Sequence, residues 1–365
     1  MLIPRARPRL AARPARRVAD APGDPGSVFR LPIPTAGPSA SGLALAAGWG
    51  DVFERLSIST PFQVGPVNAY LAGRTLIDPG PASEEARAAL LEKLEERGLA
   101  PGDLDRILVT HPHPDHFGLA HWLRETGAEV RASAACADVI ADFGARYEYE
   151  KEYFQPFFER HGMSAETAKT VTELPQVFLD YAPGVETDRI LEPGDTVTVR
   201  DRAVEALDLA GHAPGELAFA YEDDGRHAAV GDHLLPDITP NPLLQPPPEP
   251  GADRPRVLPA FNRSLERLRD GEFETLLPGH REVVADPAGR IDEVLDAHEE
   301  RTANVRELVD GPTTALEVME GLFGDLPVTE YFPGMSEAVG HLDVLEERDE
   351  VTSHDRGGMV VYEPA

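Results

Sequence analysis

A chain of 365 residues exceeds one typical domain, and a hydrophobic share of 41% is enough for a sizeable core. No apolar run approaches the ~20 residues a membrane-spanning helix needs. The formal charge of −30, from 64 Asp and Glu against 34 Lys and Arg, repels nucleic-acid phosphates and anionic lipid at long range and argues against both as partners. Only Lys93, Lys151 and Lys169 among the cations are lysines. An acidic, lysine-poor surface suits a cytosol at molar salt, so a halophilic, soluble protein is expected; high-GC codon bias alone does not explain the excess of acid. The single cysteine, Cys136, excludes an intramolecular disulfide or a thiolate cluster and fits a reducing cytoplasm.

Residues 1–45 read as a disordered, arginine-rich extension. Arg16-Arg17 is a twin arginine, but no apolar stretch of export-signal length follows it. Strand-like patterning begins near residue 55. Val67–Leu71 and Arg74–Ile77 form an expected hairpin around Ala72-Gly73. Ser83–Arg97 is an amphipathic helix with Ala86, Ala89, Leu90 and Leu94 on one face. Asp105–Thr110 is a short buried strand, and Phe117–Thr126 a helix. Residues 134–186 read as a largely helical insert whose aromatics, Tyr147 to Phe158, are packing groups; a cap over a substrate pocket is the sharper alternative. Strands resume at Thr196–Val199, Val204–Asp208, Leu217–Tyr221 and His227–Val230. Residues 236–259 hold nine prolines in 24 positions and read as a loop. A helix over Phe261–Arg269 and a strand at Thr275–Leu277 follow. Helices at Ile291–Leu308, Thr314–Phe323 and Met335–Arg348, then a hairpin around Arg356-Gly357-Gly358, suggest a small winged-helix-like domain over 291–365.

The chemistry gathers at His111-Pro112-His113-Pro114-Asp115-His116, where a strand ends. In extended chain, side chains two apart point the same way, so His111 and His113 can grip one ion. Asp115 and His116 fall where the chain turns into a helix and can face a neighbouring ion. Pro112 and Pro114 stiffen the loop and reduce the entropy lost on forming a site. Three further candidates each follow a strand in a glycine-bearing turn: His212 after Gly211, Asp232 after Gly231 and His280 after Gly279.

This ordered set, HxHxDH then GH, GD and PGH, resembles the metallo-β-lactamase superfamily over roughly residues 55–290. The resemblance implies an α/β fold, an αββα sandwich with the site along one edge of its two sheets, as a catalytic domain over 46–290. It further implies that His111, His113 and His212 bind a first metal, that Asp115, His116 and His280 bind a second, and that Asp232 bridges both. Asp78 matches the family's aspartate that orients a ligand histidine, and Asp115 would also orient the attacking hydroxide. Imidazole and carboxylate suit Zn²⁺, two per chain, and tolerate Fe²⁺ or Mn²⁺. Two such ions ~3.5–4 Å apart lower the pKa of a shared water towards ~7, giving a hydroxide that attacks a carbonyl or phosphoryl centre.

Departures narrow the branch. A bridging Asp232 argues against a true β-lactamase. No tyrosine lies in 233–279, which demotes lactonases, and His113 stands where flavodiiron proteins usually carry glutamate. The site is similar to that of glyoxalase II, but the 19 acids and four arginines of residues 291–365 ill suit glutathione. Glu216 stands where several relatives have a second histidine. The expected function is hydrolysis of a small ester or thioester; the alternative is a phosphodiesterase or endoribonuclease on single-stranded RNA, since some winged-helix relatives resemble ribonucleases. A persulfide-oxidising iron enzyme and a non-catalytic metal-binding regulator stand further off. The last domain, with Glu337, Asp343, Glu346, Glu347, Asp349 and Glu350 against Arg348 in its third helix, is expected to be a structural lid or a homodimer contact rather than a nucleic-acid binder.

Overall fold

The protein is described by a computed structural model covering residues 52–240 and 242–365; the arginine-rich extension of residues 1–45 lies outside the described residues. Three strands open the chain, β1 (Glu54–Ile58), β2 (Val67–Ala72) and β3 (Thr75–Ile77). After helix α1 (Glu84–Glu95) come β4 (Arg106–Leu108), the short α2 (Pro114–Phe117) and α3 (Ala120–Glu125), and β5 (Glu129–Ala132). The helical insert holds α4 (Ala134–Ala141), α5 (Phe143–Arg160) and α6 (Ala165–Glu173), closed by a 3₁₀ turn over Leu174–Tyr181. Strand β6 (Arg189–Ile190) completes a six-stranded sheet in the order β1-β2-β3-β4-β5-β6. A second sheet takes β7 (Thr196–Val199), β8 (Arg202–Asp208), β9 (Leu217–Glu222), β10 (Arg226–Gly231) and, after helix α7 (Val257–Asp270), β11 (Thr275–Pro278), in the order β11-β10-β9-β8-β7.

Period-two alternation assigns each strand face to a layer. In β2, Val67, Ala69 and Leu71 join Leu90, Leu94, Leu123 and Ile140 under the first helical layer. Tyr70 and Ala72, on the other face, meet Phe219, Tyr221 and Leu277 between the two sheets. In β9 and β10, Ala218, Ala220, Ala228 and Val230 face Phe261, Leu265, Ile291 and Val294 of the second helical layer. Helix, sheet, sheet, helix is therefore the stacking order, the αββα sandwich that the motif resemblance implies.

Helix α8 (Pro287–Leu308), α9 (Ala315–Phe323), α10 (Tyr331–Glu347) and the antiparallel hairpin β12 (Val351–Arg356)–β13 (Met359–Pro364) end the chain. Their apolar faces do not close a core alone. Val305, Val318, Met335, Leu342 and Tyr362 pack with Phe154, Phe158, Ala168 and Val171 of the insert. Phe154 and Phe158 are buried and both lie edge-on to Phe332, so these aromatics are packing groups.

Three helices start four residues before the apolar periodicity indicates: α7 at 257, α8 at 287 and α10 at 331. Pro259, Pro287 and Pro333 sit in their first turns, where a missing N–H costs nothing because that group has no intrahelical acceptor. The helix expected over Phe117–Thr126 is two short pieces. At the break, a Cβ on Gly118 would lie 2.2 Å from the Tyr181 carbonyl oxygen and 2.4 Å from the Ala82 nitrogen, so neighbouring backbone presses against it.

Candidate metal centre

Parallel pairing of β3 with β4, and of β10 with β11, aligns their C-terminal ends. Backbone bonds then draw the two edges together: Leu217 N–H donates to the Thr110 carbonyl at 2.8 Å, and Val67 bridges to His280. His111, His113, Asp115 and His116 leave the end of β4, His212 follows β8, Asp232 follows β10 and His280 follows β11. All seven meet. Ligand atoms of His111, His113, His212 and Asp232 lie within 4.8 Å of one another, as do those of Asp115, His116 and His280. The two groups adjoin through Asp232, whose carboxylate oxygens are 3.5 Å from His116 Nε2 and 3.5 Å from His280 Nε2.

The glycines are steric requirements. A Cβ on Gly279 would sit 2.4 Å from Asp232 Oδ1, and one on Gly231, at φ +52°, 2.8 Å from Thr110 Oγ1. The backbone of each turn approaches a functional side chain too closely for any other residue.

Hydrogen bonds set which ring nitrogen faces inward. Asp78, at the end of β3 in a left-handed conformation with φ +51°, accepts Thr110 N–H at 2.8 Å and the Thr110 hydroxyl at 2.6 Å. The Thr110 hydroxyl, its proton given to Asp78, can only accept from His111 Nδ1 at 2.9 Å. Asp78 Oδ2 also lies 2.8 Å from His116 Nδ1, and the Pro66 carbonyl accepts from His280 Nδ1 at 2.9 Å. With Nδ1 engaged in all three rings, Nε2 of His111, His116 and His280 is the nitrogen that faces the site.

Charge and burial act together. Burial, with the neighbouring imidazoles, pushes His111 well below the ordinary histidine value, and burial with His113 lowers His212 to about 3. His113 is lowered by burial too. For Asp232, burial opposes ionisation, but His280 and His116 outweigh it and hold the carboxyl far below the usual range. Asp115 follows the same pattern with His116 and His280. His116 moves upward, because Asp232, Asp115 and Asp78 overcome its burial. His280 moves upward too, as Asp232 and Asp115 overcome its burial. Neutral imidazoles and ionised carboxylates are the forms that bind a metal, so His111, His113, His212 and the two carboxylates are favoured in that form, whereas His116 and His280 would give up a proton as an ion binds.

The donor set fits a divalent cation. His113 Nδ1 is 3.0 Å from His111 Nε2 and 3.2 Å from His212 Nε2. His116 Nε2, His280 Nε2 and Asp232 Oδ1 are buried without any hydrogen-bond partner. Each such group costs about 1–3 kcal/mol unless something else satisfies it. A metal ion held by them would do so.

The family model for the metallo-beta-lactamase superfamily matches residues 63–280. The chain belongs to this superfamily. The probable metallo-hydrolase YqjP of Bacillus subtilis (strain 168) is 32% identical over 311 residues, covering 84% of this chain and 96% of the relative. Among solved structures, a metallo-beta-lactamase family protein from Thermus thermophilus superimposes with a TM-score of 0.72 at 29% identity, over 86% of this chain and 98% of that one. A beta-lactamase domain protein from Burkholderia ambifaria gives 0.69 at 26% identity, over 86% and 92% of the two chains. Fold, relatives and donor set together make this superfamily member a metal-dependent hydrolase, and no helix among the described residues is long and apolar enough to cross a membrane.

The other histidines lie outside the cluster. His161, His227, His298 and His341 are buried with hydrogen-bond partners, while His121 and His354 are more exposed. His233 is fully buried, its Nδ1 2.7 Å from Glu216 Oε2 and its ring 4.3 Å from that of Phe261. Burial raises the Glu216 carboxyl, with Asp232 adding to the effect, and burial lowers His233. Both shifts favour a neutral pair behind the Asp232 turn. Sequence reasoning singled out Glu216 without its pairing to His233 and read Thr110 only as the end of a strand, although its place immediately before His111 was the available signal.

Proposed function

We propose that the chain is a dinuclear hydrolase of small ester or thioester substrates. His111, His113 and His212 would hold one Zn²⁺, Asp115, His116 and His280 a second, and Asp232 would bridge them. The observation that carries this is the convergence of seven donors as two groups meeting at one carboxylate. When bound, two such ions supply a water acidified towards neutral pH and charge stabilisation at the carbonyl oxygen. Asp78 and Thr110 keep the rings in the ligating tautomer. Asp115, 3.3 Å from His280 Nε2 through one oxygen, would orient the attacking water with the other.

Helices α8–α10 and the hairpin are read as a winged-helix-like unit acting as a lid or a homodimer contact, with no nucleic acid bound. Their packing supports this. Helix α10 is the buried centre of the unit, with Met335, Ala338, Val339, Leu342 and Leu345 inside. Its acids are committed internally, Glu337 to Arg301 at 2.6 Å, Asp343 to Arg254 at 2.7 Å and Glu346 to Arg256 at 3.1 Å. A helix held so cannot enter a groove of nucleic acid.

The test is a panel of aryl esters, thioesters, lactones, phosphodiesters and single-stranded RNA, run beside metal quantification. Thioester or ester turnover by a chain carrying two metals is expected. Turnover confined to RNA, or one iron per chain with oxygen consumption, would replace this reading.

A further inference from the structure

His280 belongs to the second sheet, whereas the four ligand candidates of the 111–116 turn belong to the first. Their separation therefore depends on whatever fixes one sheet edge to the other. Strand β2 of the first sheet does this with two side chains. Asn68 Nδ2 donates to the Pro278 carbonyl at 3.0 Å and to the Arg281 carbonyl at 2.8 Å, while Asn68 N–H donates to the Gly279 carbonyl at 2.6 Å. The Tyr70 hydroxyl donates to the same Pro278 carbonyl at 2.7 Å. Asn68 and Tyr70 are 3% and 2% exposed, so these bonds are made without competing water. The carbonyls flanking His280 on both sides are thus held from β2, with Arg55 of β1 also donating to the Arg281 carbonyl at 2.8 Å, and the preceding Pro66 carbonyl accepts from His280 Nδ1. The held turn is also strained: Arg281 adopts φ +68°, a conformation that disfavours a side chain with a Cβ. Without the Asn68 amide the Pro278 carbonyl keeps only Tyr70 and the Arg281 carbonyl only Arg55, so the strained turn beside the imidazole is held less firmly.

We infer that Asn68 and Tyr70 are positioning residues that set the affinity of the His280 side of the metal centre, acting through the turn and touching neither metal nor substrate. This rests on the two-metal reading above. The side held by His111, His113 and His212 has no bond from either residue and is unaffected.

Full-length wild type, Asn68→Ala and Tyr70→Phe are stripped of metal and titrated with Zn²⁺ against a chelating indicator, then with Co²⁺ followed by its visible absorption. Asn68→Ala should weaken the second equivalent roughly 10- to 100-fold, the range for groups that orient a ligand, and change the Co²⁺ spectrum of that equivalent alone. Tyr70→Phe keeps the ring and its packing, so it folds, and should weaken the same equivalent several-fold. Lowered melting temperature with both affinities and both spectra unchanged would overturn the inference, since a purely structural clamp behaves so. Equal weakening of both equivalents would overturn it as well. A wild type that binds a single ion removes the two-metal reading instead, and the clamp then stands or falls on whether that ion binds more weakly to Asn68→Ala.

Discussion

The two halves of the centre are built differently. The first-sheet half is six consecutive residues, supported by Asp78 and Thr110 from strands paired with one another. The second-sheet half is three isolated side chains, His212, Asp232 and His280, and part of its support crosses the molecule: Asn68 and Tyr70 hold the His280 turn from the other sheet, while the Glu216–His233 pair, at the ends of the second sheet's own strands, lies behind Asp232. A local half can be preorganised by its own strand ends. A dispersed half is only as precise as the packing between the sheets.

The comparison breaks first at the donors themselves. His116→Ala and Asp232→Ala, one from each half, should both lose bound metal and reduce hydrolysis of the best ester in the panel to background, since neither half retains a complete set. Substantial turnover in either variant would show that one half suffices.

Support in the local half gives the next effect. Asp78→Ala removes the acceptor for Thr110 N–H, the Thr110 hydroxyl and His116 Nδ1, so it should weaken metal binding about 10- to 100-fold. Metal titration checks this, and unchanged affinity would deny Asp78 its orienting role.

In the dispersed half, Glu216→Ala leaves a buried imidazole unpaired and a space beside it, which should cost about 2–4 kcal/mol of stability by denaturant unfolding. Its effect on metal affinity should be much smaller than that of Asp78→Ala. A reversed order of the two would mean that the buried pair, not the strand end, governs the site.

The first half was legible from local rules, and the second only through the family resemblance, for the same reason. Strand periodicity puts His111 and His113 on one side, and the following turn brings Asp115 and His116 to face a neighbour, so a local rule reaches a chemical conclusion. His212, Asp232 and His280 were legible only as glycine-bearing strand ends in a familiar order; nothing local says that they meet. Asn68 and Tyr70 read as ordinary members of a buried strand, because their partners lie 208 to 213 positions away. Layer order was implied by the family resemblance, and the buried strand faces agree with it; helix starts were not legible, because the first turns of α7, α8 and α10 carry prolines that read as loop, even where Val257 and Leu258 are already buried.

A further effect, on stability alone, lies outside the centre. Burial lowers His161 and His298 to about 4 each. Their folded values are below the unfolded one of ~6.5, so their contribution is complete above that pH and is lost as the pH falls towards 4. The loss by pH 5 should be of the order of 2 kcal/mol for each group. Unfolding midpoints of the metal-free chain at pH 8 and pH 5 check it, with His298→Gln expected to flatten part of the slope.

Anomalous diffraction from crystals grown with Zn²⁺ tests the central claim most directly. Two peaks about 4 Å apart, one at His111, His113 and His212, the other at Asp115, His116 and His280, and both in contact with Asp232, are the expected result. A single peak in fully metallated protein, or zinc bound elsewhere with the seven side chains free, would contradict it.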